Sequence, residues 1–335
     1  GAAGSGEVTL RATVVSGDPA RPGTAPPLEV TLAPGGFHQW TEVLSAAGGA
    51  FSNAWVRVER VRGAAPFTAY AVVNDQGTSD GSFVPPVPTS RALSPGRRVV
   101  PAVVSAGAFR TELVVTNVAA SPRTVRFSLR ADGIGTAEKT VRFERTLAPG
   151  EQWIRPDLVG WLRAQGTPGV PEASLAGALV AEPAEGGGVL VGARTAAAGG
   201  AGQYGVFTPG LSDDELASTR GDLDLLRQDA ENRTNLAIVD AGAPGSPDGR
   251  YEVDLFDGGT GLLLRTVGPL TVPPAGWLQV GTILSTHAPG TTTARARVRR
   301  VSGLGPFLAY TIVNDGAAPG ERSGDGSYVP MERRP

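Results

Sequence analysis

VRVERVRGAAPFTAYAVVNDQGTSDGSFVP, residues 56–85, recurs as ARVRRVSGLGPFLAYTIVNDGAAPGERSGDGSYVP, residues 296–330. Gly63 aligns with Gly303, Pro66 with Pro306, Phe67 with Phe307, Tyr70 with Tyr310, Asn74 with Asn314 and Asp75 with Asp315, without a gap. An insertion follows in the next loop before Asp80-Gly81-Ser82 rejoins Asp325-Gly326-Ser327. Such self-similarity means one folding unit used several times, so the fold is read per unit. Duplicated units tend to build length or binding surface, and the chain is expected not to be an enzyme.

The last copy is the easiest to follow. Arg233–Val239 reads as a short strand ended by the turn-rich AGAPGSPDG. In Arg250–Phe256, Tyr251, Val253 and Leu255 alternate with Glu252 and Asp254, the pattern of a half-buried strand. Leu262–Val272 gives another strand, and Pro273-Pro274-Ala275-Gly276-Trp277 follows it. Ala294, Ala296 and Val298 alternate with Arg295, Arg297 and Arg299 until Arg299-Arg300 breaks the pattern, where a β-bulge is expected. The first copy has the same break at Glu59-Arg60, and Phe307–Val313 is the last long strand. Strands at this spacing between Pro/Gly turns predict an antiparallel sandwich.

The middle copy runs the same course. Phe109–Asn117 matches the strand at Arg233, and Val125, Phe127 and Leu129 alternate within Thr124–Leu129. Leu147-Ala148-Pro149-Gly150 matches Leu32-Ala33-Pro34-Gly35. The aromatics after these turns, Phe37, Trp153 and Trp277, are expected to plug each core. Pro156–Leu162 has the start signals of a short helix. In the first copy Glu7–Val15 matches the strand at Arg250, and nothing in residues 1–6 serves as the opening strand of the other copies. A sandwich short of a strand exposes backbone and apolar surface unless an upstream segment or another chain fills the gap. Pro85–Arg98 reads as a semi-rigid extended spacer, and Ser212-Asp213-Asp214-Glu215 has capping-box form.

Composition narrows the classes. Among 335 residues there are 47 Gly and 28 Pro, which suits many turns and short strands rather than long helices. No cysteine is present, so disulfides and thiolate metal sites are excluded. A net charge of −2 gives no reason to expect nucleic acid or an anionic membrane, and no apolar run is long enough to span a bilayer. Lys139 is the only lysine, an arginine bias that a GC-rich genome also produces. The chain opens on Gly1 and its only methionine is Met331, so it is expected to be processed or cut from something longer.

RVVPAVVSAGAFRTELVVTN (98–117), LAPGEQWIRPDLVGWLRAQG (147–166), GLSDDE (210–215) and NRTNLAIVD (232–240) together resemble tandem β-sandwich repeats of large, uncharacterised secreted or cell-surface bacterial proteins of Acidobacteria-like lineages. The resemblance covers nearly all of the chain. It implies an extracellular or cell-surface setting, with a strand like Asn232–Asp240 before each module, and it carries over no activity and no catalytic residues.

The best side-chain constellation is the loop Asn74-Asp75…Asp80 and its partner Asn314-Asp315…Asp325. Clustered side-chain oxygens suit calcium, which takes six to eight of them. The alternative is a structural turn in which each Asx side chain bonds its own backbone. No other cofactor is indicated. Arg295, Arg297 and Arg299, with Arg57 at the place of Arg297, read as a solvated face paired with acids or as a contact for an anionic glycan. Gly200–Gly205 matches a dinucleotide fingerprint but opens no helix. Arg220-Gly221-Asp222 and the sequon Asn232-Arg233-Thr234 are too short to carry a claim. His38 and His287 lie in different copies, and His38 is expected to be partly buried beside Phe37 and Trp40.

The expectation is therefore an all-β chain of three tandem antiparallel, immunoglobulin-like β-sandwich modules. They span residues 1–88, 99–211 and 212–335, the first lacking its opening strand and the last carrying a short helical connector. The expected role is an extracellular structural repeat protein of a cell-surface stalk or filament. It would assemble by strand complementation with itself or with neighbouring repeats of a longer chain. The alternatives are an adhesin or carbohydrate-binding module using Trp55, Tyr204 or Tyr328 as glycan platforms, or an accessory region of a larger secreted protein.

Overall fold

The computed structural model describes residues 6–48, 51–132, 140–318, 320–323 and 325–334. Lys139 and residues 1–5, part of the stretch expected to hold no opening strand, lie outside the described residues. The first module holds β1 (Val8–Ser16), β2 (Leu28–Leu32), helix α1 (Val43–Ala46), β3 (Ala54–Gly63), β4 (Ala71–Asn74) and β5 (Gly81–Val84). Helix α2 (Thr89–Leu93) leads to β6 (Arg98–Ser105), β7 (Phe109–Asn117), β8 (Arg123–Asp132), β9 (Val141–Leu147), β10 (Gln152–Arg155), helix α3 (Leu158–Ala164), β11 (Leu175–Pro183), β12 (Val189–Gly199), β13 (Gly202–Pro209) and β14 (Leu211–Ser212). The last module holds β15 (Arg220–Arg227), β16 (Asn232–Asp240), β17 (Gly249–Asp257), β18 (Leu263–Val272), β19 (Trp277–Val280), helix α4 (Ile283–His287), β20 (Thr293–Ser302), β21 (Phe307–Asp315), β22 (Gly326–Pro330) and β23 (Glu332–Arg334).

The fold is all-β, and its second and third modules share one topology. The middle module lays a five-stranded sheet β14-β6-β11-β8-β9 over a four-stranded sheet β10-β7-β12-β13. The third repeats it strand for strand, β23-β15-β20-β17-β18 over β19-β16-β21-β22. Every pairing is antiparallel, as chains with short turns between consecutive strands require. The core of the middle module is built on Leu113, Phe127, Leu129, Trp153 and Leu179, and that of the third on Leu236, Tyr251, Val253, Val298 and Phe307.

The first module follows the same plan with positions left open. Its sheet β2-β1-β3 corresponds to β18-β17-β20, and the separate ribbon β4-β5 corresponds to β21-β22. The gap is wider than a single opening strand, because the third module places both β15 and β16 ahead of β17. Counting β19 and β23, which also lack counterparts among the described residues, two positions are open in each sheet, and β15 and β16 mark the ones beside β3 and β4. Sequence reading found β16 but passed over β15, whose register slips between Leu223 and Leu226 and breaks the alternation. With no counterpart of β16 to pair with, residues 37–40 form no strand where β19 would lie. Phe37 is consequently 62% exposed instead of plugging a core, and His38 is exposed beside Trp40.

Other expectations are refined. Trp153 does enter its core, whereas Trp277 packs at the contact between the second and third modules. The bulges fall one residue beyond the expected Glu59-Arg60 and Arg299-Arg300 pairs. Leu10 faces Arg60 and Thr9 faces Arg62, so Val61 is the extra residue, as Val301 is between Arg300 and Ser302. After each bulge, Gly63 and Gly303 take φ of +84° and +102°, and a side chain at Gly63 would strike the Glu7 carbonyl. Helix α3 begins two residues later than Pro156, capped by the Asp157 carboxylate accepting from the Gly160 N–H at 2.9 Å. The Ser212–Glu215 capping box forms around a single 3₁₀ turn.

The proline-rich stretch 85–98 is not an extended spacer. Helix α2 buries Ala92, and Arg91 pairs with Glu215 across the chain. The modules are likewise packed together. Val99, Ala102, Ala178 and Val180 on the outer face of the middle module's five-stranded sheet meet Ala237, Val239, Leu308 and Tyr310 of the third in one buried cluster. The Trp277 indole N–H donates to the Tyr310 hydroxyl at 2.9 Å within it. On the other side, Asn53 and Trp55 of the first module donate to the carbonyls of Gln152 and Gly150.

Candidate functional site

The two Asn-Asp loops, 240 residues apart in equivalent positions, are brought to one place: the outer face of the β12–β13 hairpin. In the first loop the Asp75 carboxylate is spent on its own turn. Its Oδ1 accepts from the Gly77 and Thr78 N–H groups, both at 2.9 Å, and from the Thr78 hydroxyl at 3.1 Å. These bonds, the Thr78 N–H foremost, hold its carboxyl below the usual carboxylate range. That is the Asx geometry of a structural turn. Asn74 is exposed at the end of β4, opposite Gly81.

Asp80 points the other way, into the middle module, and is 7% exposed. Its Oδ2 accepts from Arg194 Nη2 at 3.1 Å and from the Gly205 N–H at 2.8 Å. Arg194 also donates through Nε to the Ser82 hydroxyl at 2.8 Å and through Nη1 to Gln203 Oε1 at 3.0 Å. The close approach requires glycine at 205, since a Cβ there would lie 2.7 Å from the Ala196 Cβ and 2.9 Å from the Arg194 guanidinium carbon. The Ser82 and Thr78 hydroxyls complete the seam by donating to the Gly205 and Gln203 carbonyls. Burial raises the carboxyl pKa of Glu112 on neighbouring β7, and the charge of Arg194 opposes that rise.

The second loop arrives on the same spot. Asp325 hydrogen-bonds with the Asp80 carboxylate, and burial together with that like charge pushes its pKa up to about 6. Asp315 accepts from the Ser323 hydroxyl at 2.5 Å through Oδ2, while its buried Oδ1 has no hydrogen-bond partner. Asn314 is buried and accepts from the Asn235 amide at 3.1 Å. The six residues thus divide between two turns and one shared junction, and among the described residues no group of three or more carboxylate or histidine side chains gathers in metal-holding geometry. What sequence reading missed is Arg194, which stands where the middle copy has Gly192-Ala193-Arg194-Thr195 in place of the Asn-Asp pattern. Its charge is the signal, because it answers the carboxylates of the other two copies.

The pairing has a pH consequence. An acid whose folded pKa is raised favours the folded junction fully below its unfolded value and loses that contribution as pH rises through the folded one. Burial foremost, then the charges of Asp80 and Asp315, moves Asp325 from 3.8 to about 6, so the junction tightens below neutrality. Melting temperature is expected to fall by on the order of 2 °C between pH 5 and pH 7.5. Asp325→Asn should remove that dependence; an equal slope in the variant would refute the assignment.

The remaining surface of interest is the open side of the first module. Among the described residues no strand pairs with the outer edge of β3 or of β4. Tyr70, Val72 and Phe83 line one face of the β4-β5 ribbon and Val73 the other, each about half exposed. Their counterparts Tyr310, Ile312 and Tyr328 pack at the contact with the middle module. At the far end of the molecule the outer face is polar: Arg297 pairs with Asp222, and Arg299 with Asp254 and Glu252. Of the side chains proposed as glycan platforms, Trp55 has Arg57 over its ring and Tyr328 meets Tyr310 at a tilt of 41°. Comparison with family models, with curated proteins and with solved structures finds no match for this chain. Among the described residues no helix is long and apolar enough to cross a membrane.

Proposed function

We propose that this chain is an extracellular structural repeat protein, a segment of a cell-surface stalk or filament that extends by strand complementation at its first module. The observation that carries this reading is the asymmetry of the two ends. The first module offers open sheet edges and apolar side chains, while the last presents an arginine face balanced by carboxylates. Unpaired edges beside exposed valine and aromatic rings template further strands unless covered. The resemblance to secreted bacterial repeats supports the extracellular setting, and the absence of cysteine is no obstacle because each complete module has a large core.

The test is negative-stain electron microscopy with light scattering on the chain extended by a free second copy of residues 216–240, so that each molecule carries an unfolded donor pair of strands. Regular fibres whose axial repeat matches a few modules are expected. Monodisperse single particles over a range of concentrations would remove the filament reading.

A further inference from the structure

Resting on that reading, we infer that the open side of the first module is a receptor for two antiparallel strands, one per sheet, patterned like residues 220–240 and supplied from outside the described residues. The occupant is specified by the third module, where β15 and β16 fill the same positions. There β15 pairs with β20 so that Leu223 faces Ala296 and Asp222 faces Arg297. Transposed onto the first module, those places are Val56 and Arg57 on β3. The second strand, β16, sets Thr234 against Val313 and Asn235 against Ile312. The corresponding residues of β4 are Val73 and Val72, which are 57% and 48% exposed.

Charge supports the match. In the third module the Asp222 carboxylate accepts from Arg297 Nε at 2.8 Å, and Arg57 stands in the place of Arg297. The inner face also calls for apolar residues, since Leu223, Leu226, Leu236 and Ile238 are fully buried where β15 and β16 lie. A second copy of the described residues cannot donate without opening one of its own sandwiches, because β6, β7, β15 and β16 are all built into complete sheets. The donor is therefore a segment not already folded into a module, with hydrophobic alternation on both strands and an acid facing Arg57.

A synthetic peptide of residues 216–240, fluorescently labelled, serves as the probe, titrated into the 335-residue chain and followed by anisotropy. Saturable one-to-one binding is expected, absent for a scrambled peptide. Leu223→Asp in the peptide should weaken it about tenfold or more, the factor for losing one buried leucine. Val73→Lys in the protein, a change at an exposed site that leaves the fold intact, should weaken it similarly. Equal binding of native and scrambled peptides, or none, overturns the receptor. The two readings separate cleanly: fibres without peptide binding leave the filament and remove this receptor, whereas binding to a protein that stays monodisperse does the reverse.

Discussion

Replacing Arg194 by methionine should detach the loop and ribbon of the first module from the middle one, at a cost of about 3 to 5 kcal/mol in the stability of that contact. The reasoning is local. Asp80 is buried, and its Oδ2 accepts from Arg194, the cation of the pair, and from the Gly205 N–H. Without the guanidinium, a carboxylate sits in a seam of backbone carbonyls and beside Asp325, with no cation to balance it. Limited proteolysis reads the outcome, with faster cutting in the 75–98 stretch. Asp80→Asn combined with Arg194→Met should recover part of the loss, since it removes the orphaned charge as well. Wild-type resistance in the single variant would mean that the pair does not hold the modules.

The second large effect is expected at the opposite contact. Val180→Asp places a carboxylate in the buried cluster that joins the middle and third modules, among Val99, Ala178, Leu308 and Tyr310. Its side chain lies on the outer face of β11, so the middle module's own core is untouched. Burying an unpaired charge costs several kcal/mol, and the cheapest relief is to part the faces. Small-angle scattering should show a longer particle, while the far-ultraviolet dichroism of the sheets stays unchanged. A particle of unaltered dimensions would contradict the interface.

Much of this architecture was legible in the chain because period-two alternation survives where one strand face is wet. Tyr251, Val253 and Leu255 on β17, and Ala294, Ala296 and Val298 on β20, announce themselves in this way. Strands buried on both faces do not. RVVPAVVS shows no alternation because β6 lies in its module's core on one side and against the third module on the other. The counterpart β15 was hidden for a different reason, its register slip. Missing these two led to a gap of one strand ahead of β1, where the third module has two, β15 and β16, ahead of β17. The junction was legible only as parts. Both Asn-Asp loops stood out, but pairwise repeat alignment compares copies and says nothing of how copies pack, so the meeting of Asp80, Asp325 and Arg194 required the three-dimensional arrangement. The proline-rich connector misled for a related reason: composition predicted an extended spacer, and the ion pair of Arg91 with Glu215 tied it down.

The central claim, that the first module leaves open the edges of β3 and β4 that β15 and β16 cover in the third, is tested most directly by native-state hydrogen exchange resolved to single amides. Outward amides of β3 and β4 should exchange orders of magnitude faster than those at the equivalent positions of β20 and β21, which β15 and β16 cover. Equal protection of the equivalent positions would contradict it, for those edges would then already be paired.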